Sequence, residues 1–316
     1  MKIVIVGYGE MLRALISGVL KTKHEIVGVF REENIKYPPL EKFIYDLLKP
    51  TDDYNFIRIH QLKEIKAKSV NSQEFINSIK KLKTDVILVG SWSEKFSLQT
   101  INVAKIACIN THPSLLPKYR GPNPYLQVIL NNEQKTGITF HLMDVNYDTG
   151  AILHQAETEI LKTDTGESLK HRCCDLARNE IINLLNELPK KLKEQKSQNE
   201  QESTYQHQIS LADSILDFEK ETSIEIDKRI RALTPWLKCH IPYKNEFFTF
   251  ESYKIYPKKS RKRPASIVKK TNNSLFIVCK DGYVIEFCAI KIKRPFSAFF
   301  TKLYLEKIIK TNEQAI

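Results

Sequence analysis

The chain has 316 residues, 42% of them hydrophobic and 27% charged, which is the composition of a globular protein and excludes wholesale disorder. Its formal charge of +12 leaves two readings open, an anionic partner or a lysine-rich solvated surface. The six cysteines show no C-x-x-C spacing and no run approaches the roughly 18 apolar residues of a membrane span, so a zinc site, a disulfide scaffold and a transmembrane helix are all excluded.

Taken in order, the chain opens with Lys2–Val6, an apolar β-branched run ended by Gly7-Tyr8-Gly9 and followed by helical spacing through Met11, Leu12, Leu15, Ile16 and Val19. With the run EIVGVF (25–30) this predicts a β-α-β unit and a parallel sheet. The glycines supply only Gly-x-Gly, because position 12 is Leu, and a tight turn fits better than a dinucleotide site. The start is too short for a signal-peptide core, and the expectation is a soluble, cytoplasmic protein with reduced thiols and no metal.

Residues 31–39 read as a polar loop and 40–48 as a helix, with a strand at 55–59. An amphipathic helix is predicted over 72–82, starting at Ser72. Next come a buried strand at 85–89, a loop Gly90-Ser91-Trp92-Ser93, a helix near 98–103 and a strand at 107–110. Further strands are predicted at 137–143 and within 150–159, then a long helix over 166–192. The polar stretch 193–208 (KEQKSQNEQESTYQHQ) has no apolar period and reads as a linker. Beyond it come a helix at 223–233 and short strands at 247–253, 265–268, 275–279 and 284–291, a small β-rich module with a barrel among the options.

The stretch 109–153 carries the chemistry. Asn110 and His112 leave the end of a buried strand, and Asp148 stands in an Asp-Thr-Gly turn. Reaction at a planar carbonyl carbon needs a proton acceptor, a donor to the developing oxyanion and a group that orients the imidazole, roles that His112, Asn110 and Asp148 can fill in that order. No serine or cysteine is placed as a nucleophile beside this histidine, which favours direct transfer to an external amine. By spacing alone, a loop histidine, a turn-forming asparagine and a capping aspartate remain an equal alternative.

The run Asn110-Thr111-His112-Pro113-Ser114-Leu115-Leu116-Pro117, with Thr136-Gly137-Ile138-Thr139 and Asp148-Thr149-Gly150, resembles the folate-dependent formyltransferase superfamily. That resemblance implies an α/β, Rossmann-like catalytic domain and 10-formyltetrahydrofolate as formyl donor. It implies that Asn110 polarises the formyl oxygen, that His112 handles the proton and that Asp148 holds the imidazole. It further implies that Leu88, Gly90 and Ser91, with Ser114, Leu115, Leu116 and Pro117, line the folate pocket.

Farther along, Leu211-Ala212-Asp213-Ser214-Ile215-Leu216-Asp217-Phe218 and Ile230-Arg231-Ala232-Leu233-Thr234-Pro235-Trp236 resemble the C-terminal domain of the tRNA-formylating branch. This implies a small OB-like barrel and methionyl-tRNA as acceptor. The domain expectation is a catalytic domain over 1–192, a linker over 193–208 and the OB-like domain over 209–316. From Tyr205 onward there are 21 Lys and Arg against 12 Asp and Glu, and 254–270 holds eight basic residues and no acid. Lys258, Lys259, Arg261, Lys262 and Arg263 are therefore the expected tRNA contacts.

Two other acceptors or roles stay open. The segment 31–37 is short and carries two glutamates where the tRNA enzymes have a basic loop, a feature shared with formyltransferases that act on amino-sugar nucleotides. A non-catalytic RNA- or folate-binding protein on the same fold is the third reading.

Overall fold

The computed structural model describes residues 1–31, 52–243, 246–271 and 273–292. The expected loop at 32–39 and helix at 40–48 lie outside the described residues. Contacts divide the chain into two units: residues 1–124, 134–160 and 168–207 form the first, and 125–133, 161–167 and 208 onward the second.

The first unit is built on β1 (Lys2–Gly7), α1 (Gly9–Val19), β2 (Glu25–Arg31), α2 (Asp52–Ile59), α3 (Gln73–Lys81), β3 (Val86–Gly90), α4 (Leu98–Ile101) and β4 (Ala107–His112). After α5 (Pro124–Leu130), whose residues 125–130 belong to the second unit, come β5 (Lys135–Leu142) and β6 (Ile152–Glu159). Helices α6 (Gly166–Asn186) and α7 (Leu188–Lys193) then follow. The sheet order is β2-β1-β3-β4-β5-β6, with parallel pairing from β2 to β4. The pairs β4/β5 and β5/β6 are antiparallel, so the expected parallel sheet is mixed. For β6 the reason is the short connection 143–151, which lets it fold straight back on β5, whereas a parallel return needs about a dozen residues or more.

Strand β1 reads as a continuous apolar run because it is central and covered on both faces. At its end the Gly9 amide donates to Asp53 at 2.5 Å, and Arg13 pairs with the same carboxylate at 2.5 Å. A carboxylate of the chain itself therefore occupies the N-terminus of α1, where a dinucleotide phosphate would have to sit. Segment 55–59, read as a strand, lies in helix α2. Five residues carry too little period to separate the two forms, and only Ile57 of that run is buried. Helix α3 starts as expected, with the Ser72 hydroxyl capping the Phe75 amide.

The second unit contains helix α8 (Ser223–Leu233), which starts in a capping box of Thr222 and Glu225. Its strands are β7 (Ile241–Tyr243), β8 (Glu246–Thr249), β9 (Ser252–Lys259), β10 (Ile267–Lys270), β11 (Ser274–Val278), β12 (Tyr283–Cys288) and β13 (Lys291–Ile292). They form two antiparallel sheets, β10-β11-β12-β9 and β13-β8-β7. Phe218, Phe250 and Phe287 pack edge-to-face in its core, with centroids 4.7 and 5.7 Å apart. No helix among the described residues is long and apolar enough to cross a membrane.

The polar segment read as a linker is ordered by partners rather than by apolar packing. Lys196 bridges to Ile152 of β6, and Tyr205 bridges to Arg120. Its glutamine- and serine-rich composition matches those partners, which are backbone groups and a buried guanidinium.

Candidate active site

Alternation along β4 puts Asn110 and His112 on one face, two residues apart at the carboxyl end of the strand. The antiparallel register sets Asn110 directly opposite His141 and His112 opposite Thr139. Directly opposed residues share a face, so a third polar side chain joins the pair without any sequence proximity. Asp148 comes from the β5–β6 connection and closes the cluster.

The Asn110 amide nitrogen donates to Asp148 Oδ1 at 3.1 Å and to His141 Nε2 at 3.1 Å. His112 Nδ1 and His141 Nε2 each lie 3.4 Å from Asp148 Oδ1. The Gly121 amide donates to Asp148 Oδ2 at 2.9 Å. On the far side of each ring, His112 Nε2 bonds the Tyr119 carbonyl and His141 Nδ1 the Leu142 carbonyl, both at 2.8 Å. Carbonyls only accept, so these nitrogens carry the hydrogens and the two nitrogens facing Asp148 present lone pairs. Asn110 spends both amide hydrogens inside the cluster, and it can donate to an incoming oxygen only by releasing one partner.

All three ionisable members are buried, with His112 6%, His141 2% and Asp148 10% side-chain exposed. Burial pulls the His112 imidazole below its ordinary value, and Asp148 and the Tyr119 carbonyl oppose this only in part. Burial would raise the Asp148 carboxyl, but His112, His141 and the Gly121 amide outweigh it and hold the carboxyl far below the usual range. At neutral pH the site is thus a neutral imidazole beside a carboxylate.

The turns around the cluster are held in unusual backbone. Ser91, Tyr119 and Asp148 have φ of +57°, +60° and +59°, a region non-glycine residues adopt only when the surroundings impose it. Gly150 allows the Asp148 turn to close, because a Cβ there would lie 1.8 Å from the Leu142 carbonyl oxygen.

A cleft borders the cluster, walled by Val89, Trp92, Phe96, Met143 and Tyr147 along with Asn110 and Asp148. Leu88, Gly90, Ser91, Ser114, Leu115, Leu116 and Pro117 do not line it. Gly90 faces Met11 and Leu15 of α1, and Leu88, two residues before it, is wholly buried on the same side of β3. Ser114 is buried, its hydroxyl donating to the Lys118 carbonyl at 2.8 Å, and the Leu116 amide is held by Thr139 at 3.1 Å. These two residues shape the turn that carries Tyr119. The buried Cys239 and Cys279 thiols are pushed up to about 12, and burial raises Cys108 and Cys174 as well, which leaves these thiols inert.

In the second unit Lys258, Lys259, Arg261, Lys262 and Arg263 are all exposed, at the end of β9 and in the turn after it. Three basic side chains of that sheet rest on aromatic faces, Lys254 over Tyr256 at 5.3 Å, Lys259 over Tyr283 at 4.8 Å and Lys269 over Phe276 at 5.0 Å. Among the described residues no group of three or more His, Cys, Asp or Glu is placed to hold a metal ion.

Residues 1–185 match the Formyl transferase family, and residues 208–298 match the Formyl transferase, C-terminal domain family. The chain is 30% identical to the methionyl-tRNA formyltransferase of Thermotoga maritima over 73% of its own length and 72% of the relative's. It is 27% identical to that of Clostridioides difficile over 90% of each chain. Among solved structures, a sugar 3N-formyl transferase superposes with TM-score 0.65 at 20% identity, covering 93% of this chain and 98% of that one. An N-formyltransferase from Helicobacter canadensis, solved with folinic acid and dTDP-3-aminofucose, gives 0.64 at 18%, covering 91% and 99%. At those identities the structures share the fold, while the sequence matches carry more: with both of its domains present, this chain belongs to the formyl transferase family.

Proposed function

We propose that this protein transfers the formyl group of 10-formyltetrahydrofolate to the amino group of methionyl-tRNA, in the cytoplasm, with residues 1–192 performing the chemistry and 209–316 holding the tRNA. The observation that carries the reading is the hydrogen-bonded cluster of Asn110, His112 and Asp148 on the rim of a cleft, in a chain whose relatives at 27–30% identity are methionyl-tRNA formyltransferases. The cleft suits a folate donor: Val89, Trp92, Phe96 and Met143 offer apolar and aromatic surface to a flat heterocycle, and Asn110 supplies a polar end.

In this reading the free amine attacks the formyl carbon, forming the new C–N bond and a tetrahedral oxyanion. Asn110 donates to that oxygen by exchanging one of its internal partners, a contribution of roughly 3 kcal/mol in comparable sites. His112 takes the amine's proton at Nδ1, where Asp148 stabilises the imidazolium. Collapse breaks the bond to folate N10, which leaves with a proton as tetrahydrofolate. The exposed basic side chains of the second unit, with Tyr256 and Tyr283 among them, supply phosphate contacts and stacking surface.

The test is formyl transfer from 10-formyltetrahydrofolate to charged initiator methionyl-tRNA, with His112→Ala as the control. Transfer that survives in the control removes His112 from the mechanism. A second reading, formylation of a 4-amino-sugar nucleotide, is motivated by the short segment 31–37 with its two glutamates. Donor binding without transfer to the tRNA, together with formylation of an amino-sugar nucleotide, would replace the first reading by the second.

A further inference from the structure

Arg120 is one of the largest side chains in the molecule, and it is wholly buried beside the cluster. A buried guanidinium is costly unless its donors are matched, and here they are. Arg120 Nη1 and Nη2 take the two oxygens of Glu200 at 2.9 and 2.7 Å, and Nε and Nη2 donate to Gln198 Oε1 at 3.1 and 2.8 Å. The ring of Tyr205 lies 5.6 Å from the guanidinium carbon.

Gln198 passes this anchorage on. Its amide nitrogen donates to the Asp148 carbonyl at 2.7 Å and to the Gly150 carbonyl at 2.8 Å, and so spans the turn that presents the Asp148 carboxylate. A few residues on, the Thr204 hydroxyl accepts the Tyr119 amide at 2.8 Å, and the Thr204 carbonyl accepts the Arg120 amide at 2.8 Å. Tyr119 is the residue whose carbonyl holds His112 Nε2. The Tyr205 hydroxyl donates to the Tyr147 carbonyl at 3.0 Å, one residue before Asp148. One segment therefore grips both turns of the site, and both are in positive-φ backbone at Tyr119 and Asp148.

We propose that residues 196–206 form a strap that sets the reacting pair, with Gln198 as a positioning residue for Asp148 and Thr204 as one for His112, both anchored on Arg120. The strap bonds the backbone of the two turns and not the side chains of His112 or Asp148. It rests on the assignment of His112 and Asp148 as the working pair and on no particular acceptor.

Gln198→Glu is the discriminating variant, because a carboxylate there still accepts from Arg120 but cannot donate to the Asp148 and Gly150 carbonyls. The groups facing His112 are Asp148 and His141, and Asp148 is the one that raises its titration midpoint. Histidine-labelled NMR of the full chain, with no substrate present, should show the His112 midpoint of Q198E below that of the wild type as Asp148 drifts away. Formyl transfer should lose about 10- to 100-fold in kcat, since misplacement by about 1 Å costs that much, with donor KM nearly unchanged. Thr204→Val provides an independent arm should Q198E fail to fold. It releases the Tyr119 amide and so loosens the carbonyl of the same residue, whose hydrogen bond also raises the His112 midpoint, and lowers that midpoint again. An unchanged His112 midpoint in folded Q198E or T204V overturns the strap. A shifted midpoint supports it even if wild-type protein transfers no formyl group to tRNA, because that readout needs no acceptor.

Discussion

His112 donates from Nε2 to the carbonyl of Tyr119 at 2.8 Å, which turns its other nitrogen toward Asp148 at 3.4 Å. The tautomer is thereby assigned by the Tyr119 turn, and the nitrogen beside the carboxylate is the one free to accept a proton. The expected behaviour of the site follows from that pair.

Turnover should be independent of pH above the ordinary imidazole value of 6.5 and fall only at lower pH, because burial depresses His112. As pH drops through the depressed midpoint, His112 is protonated beforehand and cannot take the amine's proton. Asp148, held far below the usual carboxylate range, stays ionised throughout. In Asp148→Asn the group that raises the imidazole is gone, so the acid limb moves to lower pH while turnover itself drops. A pH–rate profile of kcat in which that limb moves upward would contradict the assignment.

Asn110→Ala should reduce kcat by about 10²–10³-fold, the cost typical of losing an oxyanion donor. His141→Phe keeps a planar ring, somewhat larger than imidazole, but removes the acceptor that orients the Asn110 amide, and a smaller loss is expected, with donor KM little changed. Steady-state kinetics on the two variants checks the order of the effects.

Gly150→Ala should destabilise the fold by about 2–4 kcal/mol, since its Cβ would meet the Leu142 carbonyl oxygen at 1.8 Å and backbone must shift. Urea denaturation measures this directly. A neutral outcome would mean that the β5–β6 turn is looser than the structure shows.

Replacing Lys258, Lys259, Arg261, Lys262 and Arg263 together by glutamine should weaken binding of methionyl-tRNA and flatten its salt dependence. The log–log slope should fall by roughly 0.7–0.9 for each phosphate that is no longer neutralised. Transfer at saturating tRNA should persist, as these side chains lie in the second unit and outside the cluster. Unchanged affinity and slope would point to the amino-sugar reading.

Much of this is legible in the chain alone. The apolar strand runs, the Ser72 cap and the Asn110, His112 and Asp148 pattern all follow from local rules of period, capping and residue type. What escapes those rules is whatever depends on pairing. His141 gives no local sign, since its importance comes from lying across the β4–β5 ladder from Asn110. Residues 193–208 read as a linker because they lack apolar period, and period does not register a segment whose partners are polar. Strand alternation turns Leu88 and Gly90 toward α1 and gives the cleft wall to Val89, a facing that no local pattern announces.

By itself, then, the sequence determined the family, because the longer Asn-x-His and Asp-Thr-Gly pattern is specific where the spacing of three residues is not, and it determined most of the strands and helices, because their periods are local. The tertiary structure alone decided which nitrogen of His112 faces Asp148, which residue orients Asn110 and which segment holds the Asp148 turn. Those are questions of which backbone groups lie within about 3 Å of which side chains. Strand register and chain return set such distances over separations from 7 residues, for His112 and Tyr119, to 85, for Tyr119 and Thr204.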